Sequence, residues 1–69
     1  MEQNELSRLY ADVAPYISNH NFIRKFLEKH GHLPREKLIK KAEFRSRKRT
    51  GMLRTDYKIL LNKLLEERN

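Results

Sequence analysis

Pro15, Gly31 and Pro34 punctuate a chain otherwise suited to helix, and they limit how it can fold. Proline removes a backbone donor and pushes the residue before it away from helical geometry, so a helix entering from the N-terminus must stop or kink near residues 13–14. Glycine with a proline shortly after marks the end of one helix and the start of the next. Strand formers are scarce. The β-branched residues are Val13, Ile17, Ile23, Ile39, Thr50, Thr55 and Ile59, whereas Lys, Arg, Glu and Leu dominate. That composition predicts an all-α fold.

Apolar spacing fills in the segments. Leu6, Leu9, Tyr10 and Val13 recur at helical intervals and predict a first helix from about Asn4, with Asn4 as its cap. Tyr16 and Ile17 are expected in a short turn under the core. A second helix places Phe22, Ile23, Phe26 and Leu27 on its apolar face, against Arg24, Lys25, Glu28 and Lys29. His30 stands in its last turn, where the helix dipole favours a cation, and Gly31 is the candidate residue just past its end. Pro34 suits the first position of a third helix, which carries Leu38, Ile39 and Ala42 and has Phe44 near its end. Residues 46–51 either extend that helix or form a basic loop, with a break at Thr50-Gly51. The final helix has Leu53, Tyr57, Leu60, Leu61, Leu64 and Leu65 as core positions and Met52 beside them as a gap filler. Thr55 caps it, or it starts further back near Thr50; Glu66-Glu67 oppose the dipole, so fraying is expected there. The expected architecture is one domain over residues 1–69, a small bundle of three to four helices.

A domain this small buries only about 60% of its unfolded-chain surface, so it is marginally stable unless it oligomerises or folds on a partner. The chain has no Cys and hence no disulfide or thiol chemistry. It lacks a signal-peptide pattern and any apolar run long enough to span a membrane, so a cytoplasmic protein without membrane association is expected.

Charge is distributed far less evenly than apolar residues. Residues 35–54 hold nine basic side chains (Arg35, Lys37, Lys40, Lys41, Arg45, Arg47, Lys48, Arg49 and Arg54) and two acidic ones, Glu36 and Glu43. Their net charge of +7 equals that of the whole chain. A charge run is often only a solvated face. Its confinement to one segment favours a surface for a polyanion, with nucleic acid as the default. Lys37, Lys40, Lys41 and Arg45 can share a wet helical face; Arg45, Arg47, Lys48 and Arg49 are the main candidate phosphate contacts. Arg54, near a helix start, is the candidate for a more specific contact. Phe44 and Tyr57 could stack on unpaired bases but are assigned to the core, which favours duplex DNA over single strands, with RNA as a further possibility.

The order helix, Gly-x-Leu-Pro turn, helix, basic connector, helix resembles the core of the helix-turn-helix superfamily, in its winged type without the wing. In that resemblance the segment from Phe22 to Gly31 precedes the turn, residues 35–44 form the next helix, and the last helix lies in the major groove. Arg54, Lys58 and Asn62 would then face bases or phosphates. The resemblance implies a DNA-binding regulator of transcription or replication.

The enzyme reading has little to stand on. Ser7, Ser18 and Ser46 lack an activating context, no carboxylate pair suits acid–base work, and no glycine loop cradles a phosphate. His20, His30 and His32 match no metal-ligand spacing, so neither metal nor cofactor is expected. The competing function is a small regulator or inhibitor that docks its basic face on an acidic surface of a nucleic-acid enzyme. Six apolar residues on the last helix make homodimerisation through that helix a further expectation.

Overall fold

The computed structural model describes residues 1–66. Four helices follow in order: α1 (Gln3–Val13), α2 (His20–His30), α3 (Arg35–Lys48) and α4 (Gly51–Glu66), with a single 3₁₀ turn at Ala14–Tyr16 after α1. No strand occurs among the described residues, so the fold is an all-α four-helix bundle. Leu9, Val13, Ile17, Ile23, Phe26, Leu27, Leu38, Ala42, Tyr57, Leu60 and Leu64 form one core to which every helix contributes.

α1 is capped by Glu2 instead of Asn4. The Glu2 N–H donates to the Glu5 carboxylate at 3.2 Å, a reciprocal cap one turn deep. α1 ends at Val13, and Pro15 falls in the 3₁₀ turn, as the loss of a donor requires. Within that turn region Ile17 is buried, but Tyr16 points into solvent. α2 likewise buries only part of its expected face. Ile23, Phe26 and Leu27 enter the core, while Phe22 stays 53% exposed. Four apolar residues spanned a wider arc than so small a core can cover.

The α2–α3 connection is closed by contact and not by a left-handed residue. Gly31 keeps helical angles, φ −62° and ψ −22°. A Cβ at this position would run into the Leu27 carbonyl and come within 2.6 Å of Leu6 Cδ1. The Met1 nitrogen donates to the carbonyls of Gly31 and Leu33, at 2.9 Å each, and draws the chain start onto this connector. Pro34 stands one residue before the helix, not at its first position, and its carbonyl accepts from Lys37 and Leu38 N–H at 3.0 Å.

α3 extends to Lys48, four residues beyond Phe44, so residues 46–48 are helical and only Arg49-Thr50 link it to α4. Gly51 adopts φ 62°, the left-handed conformation that reverses the chain at least steric cost. Thr55 is not a cap; its hydroxyl bonds back to the Gly51 carbonyl at 3.4 Å. The reversal makes α3 and α4 an antiparallel pair: Arg35, at the start of α3, donates to the Leu64 carbonyl near the end of α4 at 3.2 Å. Ser46, buried against the bundle, turns its hydroxyl back to the Glu43 carbonyl at 2.7 Å.

Three further assignments to the core are corrected. Phe44 is 55% exposed, and Met52 and Leu65 are also exposed. At 3.6 residues per turn, Phe44 lies roughly 160° from the buried Ala42 around α3, so it cannot face the core. Of the expected fraying at Glu66-Glu67, Glu66 is the last helical residue and Glu67 lies outside the described residues. Among the described residues, no helix is long and apolar enough to cross a membrane.

Candidate nucleic-acid interface

The helical continuation of α3 to Lys48 reorganises the charge run. Taking the buried row Leu38, Ala42 and Ser46 as the inner edge, a rotation of about 100° per residue sorts the remaining side chains onto two flanks. Lys37, Lys41, Arg45 and Lys48 fall on one. Glu36, Lys40, Glu43 and Arg47 fall towards the other, where Arg47 pairs with Glu43 at 3.7 Å. The first flank carries no acid. The second is a mixed, partly neutralised surface of ordinary solubilising character.

The acid-free flank faces α2. A shallow groove of about 190 Å³ runs between them, with Lys25 and Lys29 on the α2 side and Arg45 and Arg49 on the other. Phe22, Phe26 and Tyr57 supply its apolar surface. Phe26 packs edge-on to Tyr57, ring centroids 5.4 Å apart, and lies 5.1 Å from the His30 ring behind it, so the floor is backed by an aromatic cluster. Phe22 forms the exposed lip.

His30 registers the field of this wall. Burial lowers its pKa from the usual 6.5, and the charges of Lys41, Arg45, Lys29 and His32 lower it further. Its Nε2 is sealed from solvent and has no hydrogen-bond partner. The helix-end stabilisation expected for a charged His30 is therefore overruled by desolvation and by cations on two helices. His20 is used differently, its Nδ1 paired with the Tyr10 hydroxyl at 2.7 Å. Among the described residues, no three His, Cys, Asp or Glu side chains come together to hold a metal ion.

The other expected contacts separate from the groove. Arg54 and Lys58 are exposed on α4 together with Asn62, at the four-residue spacing that lines side chains up along a helix. Arg49 closes the groove, whereas Lys40 and Arg47 stand on the mixed flank. Arg35 is half-buried and fastens α3 to its neighbours, lying 4.0 Å from Glu5. Lys48 sets its ammonium over the Phe44 ring, 5.4 Å from the centroid, so this exposed aromatic is partly shielded by a cation. Lys25, Lys29 and Phe22 are the site residues that sequence reasoning missed. They recur at three- and four-residue spacing on one flank of α2, a signal visible in the sequence. That this flank meets α3 is decided by the tertiary packing.

Comparison with known proteins adds a family. The model of the MJ1579 family matches residues 3–69. The Methanocaldococcus jannaschii protein named "Uncharacterized protein MJ1579" is 38% identical over 69 residues, 99% of this chain and 96% of that protein. No solved structure matches. With the family model spanning almost the whole chain and a relative alike from end to end, this protein belongs to the MJ1579 family.

Proposed function

We propose that the protein binds nucleic acid, as a DNA-binding regulator of transcription or replication, through the basic wall formed by α2 and α3. One observation carries the reading: Lys25, Lys29, Arg45 and Arg49 line one groove that, among the described residues, no acidic side chain lines. Lys37, Lys41 and Lys48 continue the same flank. Cations gathered this way repel one another, and a polyanion relieves that cost while releasing counterions. Arginine adds two-point hydrogen bonding to phosphate.

The helix-turn-helix form of the proposal gives α4 the role of reading helix. The exposed row Arg54, Lys58 and Asn62 supports it. The antiparallel packing of α4 along α3 weighs against it, because only that outer edge is left to enter a groove. Phosphate contact through the wall does not depend on α4. Homodimerisation draws less support: the exposed Met52 and Leu65 lie roughly 140° apart around α4 and make no single apolar stripe.

The exposed Phe22 beside the cations favours a second reading, docking on an acidic protein surface, since aromatics among charges also suit protein interfaces. Titrations of the full chain against random-sequence duplex DNA, single-stranded DNA and RNA over a range of salt separate the two. Tight binding that weakens steeply with salt supports nucleic acid. Absence of binding to all three at low salt overturns it.

A further inference from the structure

We propose that the groove between α2 and α3 is a stacking site for an unpaired base of single-stranded DNA, with Phe22 as the platform and Lys25, Lys29, Arg45 and Arg49 on the flanking phosphates. The inference rests on the nucleic-acid reading above and specifies which form is bound. Three observations carry it. Phe22 is 53% exposed at the lip of the groove, although its helix has a core to pack against. Lys25 and Lys29 of α2 line the groove together with Arg45 of α3 and Arg49 just past the end of α3, so a strand following it meets cations along its length. The groove volume of about 190 Å³ suits a single ring system and falls below the ~300–1,000 Å³ of pockets that enclose a whole small molecule.

Single-strand binders combine these two elements, a basic track and aromatic faces on which bases stack without sequence preference. A duplex would present only phosphates to the wall, because its bases are already stacked on each other. Phe22 would then be an exposed hydrophobe without a role. Among the described residues the charged lining consists of donors, which suit phosphate oxygens, and offers no carboxylate or side-chain amide oxygen to accept from a ribose 2′-hydroxyl. That hydroxyl could only accept from the same cations that phosphates engage, so the site has no group set aside for RNA. The aromatic floor of Phe26 and Tyr57 fixes the depth of the site, leaving Phe22 as the ring that a base can reach.

The chain has no Trp, so Phe22→Trp installs a unique fluorophore at the platform. The probes are an oligo(dT), an oligo(U) of equal length, a random-sequence duplex and heparin, each titrated at several salt concentrations. Oligo(dT) is expected to quench the Trp and heparin to leave it unquenched. Phe22→Ala is expected to weaken oligo(dT) binding on the order of tenfold, within the usual worth of one stacked base, while heparin binding stays unchanged. Phe22→Tyr is expected to retain affinity, and circular dichroism of each variant guards against a folding defect. The stacking site is overturned if Phe22→Ala binds oligo(dT) as tightly as the native chain, or if duplex is preferred over oligo(dT). A preference of more than tenfold for oligo(U) overturns the assignment to DNA. Failure of every nucleic acid to bind at low salt overturns the parent reading instead, so the two failures are told apart.

Discussion

Asp56 holds Asn19 twice: its Oδ2 accepts from the Asn19 backbone N–H at 2.7 Å and from the Asn19 Nδ2 at 2.9 Å. Its other oxygen accepts from the Ser18 N–H at 3.0 Å. Asn19 stands immediately before α2, at its N-cap, and makes no capping bond with its own side chain. The two residues that lead into α2 are thus pinned from α4, by a carboxylate with 0% exposure. Negative charge at a helix N-terminus is favourable, and bonds to a charged acceptor are stronger than neutral ones.

Asp56→Ala should therefore destabilise the protein by about 3 kcal/mol, the cost of leaving partly buried donors unpaired and a cavity behind. Asp56→Asn keeps the shape and one acceptor and should cost about half as much. Urea denaturation of both variants measures this. A loss below ~0.5 kcal/mol for the alanine variant, the level of an ordinary surface change, would show that the contact contributes little.

The Asp56 contact with Ser18 and Asn19 also marks where sequence reasoning stops. The partners of Asp56 lie 37 and 38 residues away, beyond what local spacing can show. The periodic features were legible because they are local: the four-residue spacing of Leu38 and Ala42, the stop before Pro15, the break at Thr50-Gly51. Phe22, Phe44 and Leu65 were misplaced because apolar spacing marks an arc on a helix, and the width of arc that becomes buried depends on how much core the neighbours offer. The basic segment was legible as a charge. Its division into an acid-free flank and a mixed flank required knowing that α3 continues to Lys48, and its junction with Lys25 and Lys29 required the packing of α2.

Gly31 should respond oppositely to what its local conformation suggests, and Gly51 in keeping with its own. Gly31 has helical angles, so alanine would ordinarily stabilise by ~0.4–1 kcal/mol. Here the added methyl meets the Leu27 carbonyl and Leu6, and overpacking of this kind costs about 1–3 kcal/mol. Gly51 has open space around its Cβ position but φ 62°, and Gly51→Ala should cost about 1 kcal/mol for the left-handed backbone alone. Thermal melts of the two variants check both. A stabilised Gly31→Ala would mean that Leu6 moves aside freely.

His30 should make stability depend on pH. Its pKa is lowered in the folded state by burial and by Lys41, Arg45 and Lys29, so the unfolded chain binds the proton more readily. Its contribution to stability is complete above the unfolded value of 6.5 and is lost as pH falls towards the folded value. The urea midpoint should decline between pH 7.5 and pH 5, and His30→Gln should flatten that decline. An undiminished slope in the variant would assign the effect to other groups. A polyanion on the wall offsets the same cations, so nucleic-acid binding should take up protons and strengthen as pH falls through this range.

The division of α3 into two flanks gives the sharpest test of the interface, because charge can be removed in equal amounts from either. Lys41→Ala with Lys48→Ala strips the acid-free flank; Lys40→Ala with Arg47→Ala strips the mixed one. All four side chains are exposed, so neither pair should unfold the bundle. Net charge falls by the same amount in both, and a diffuse electrostatic attraction would weaken equally. If phosphates lie along the α2–α3 wall, each lost contact removes close to one unit from the slope of log affinity against log salt. The first double variant should therefore reduce that slope by about 2, and the second should leave it nearly unchanged. Arg47 already faces Glu43 at 3.7 Å and has less to offer a phosphate. Equal losses from the two pairs would place the contact on the chain's overall charge and remove the reason for assigning it to the wall.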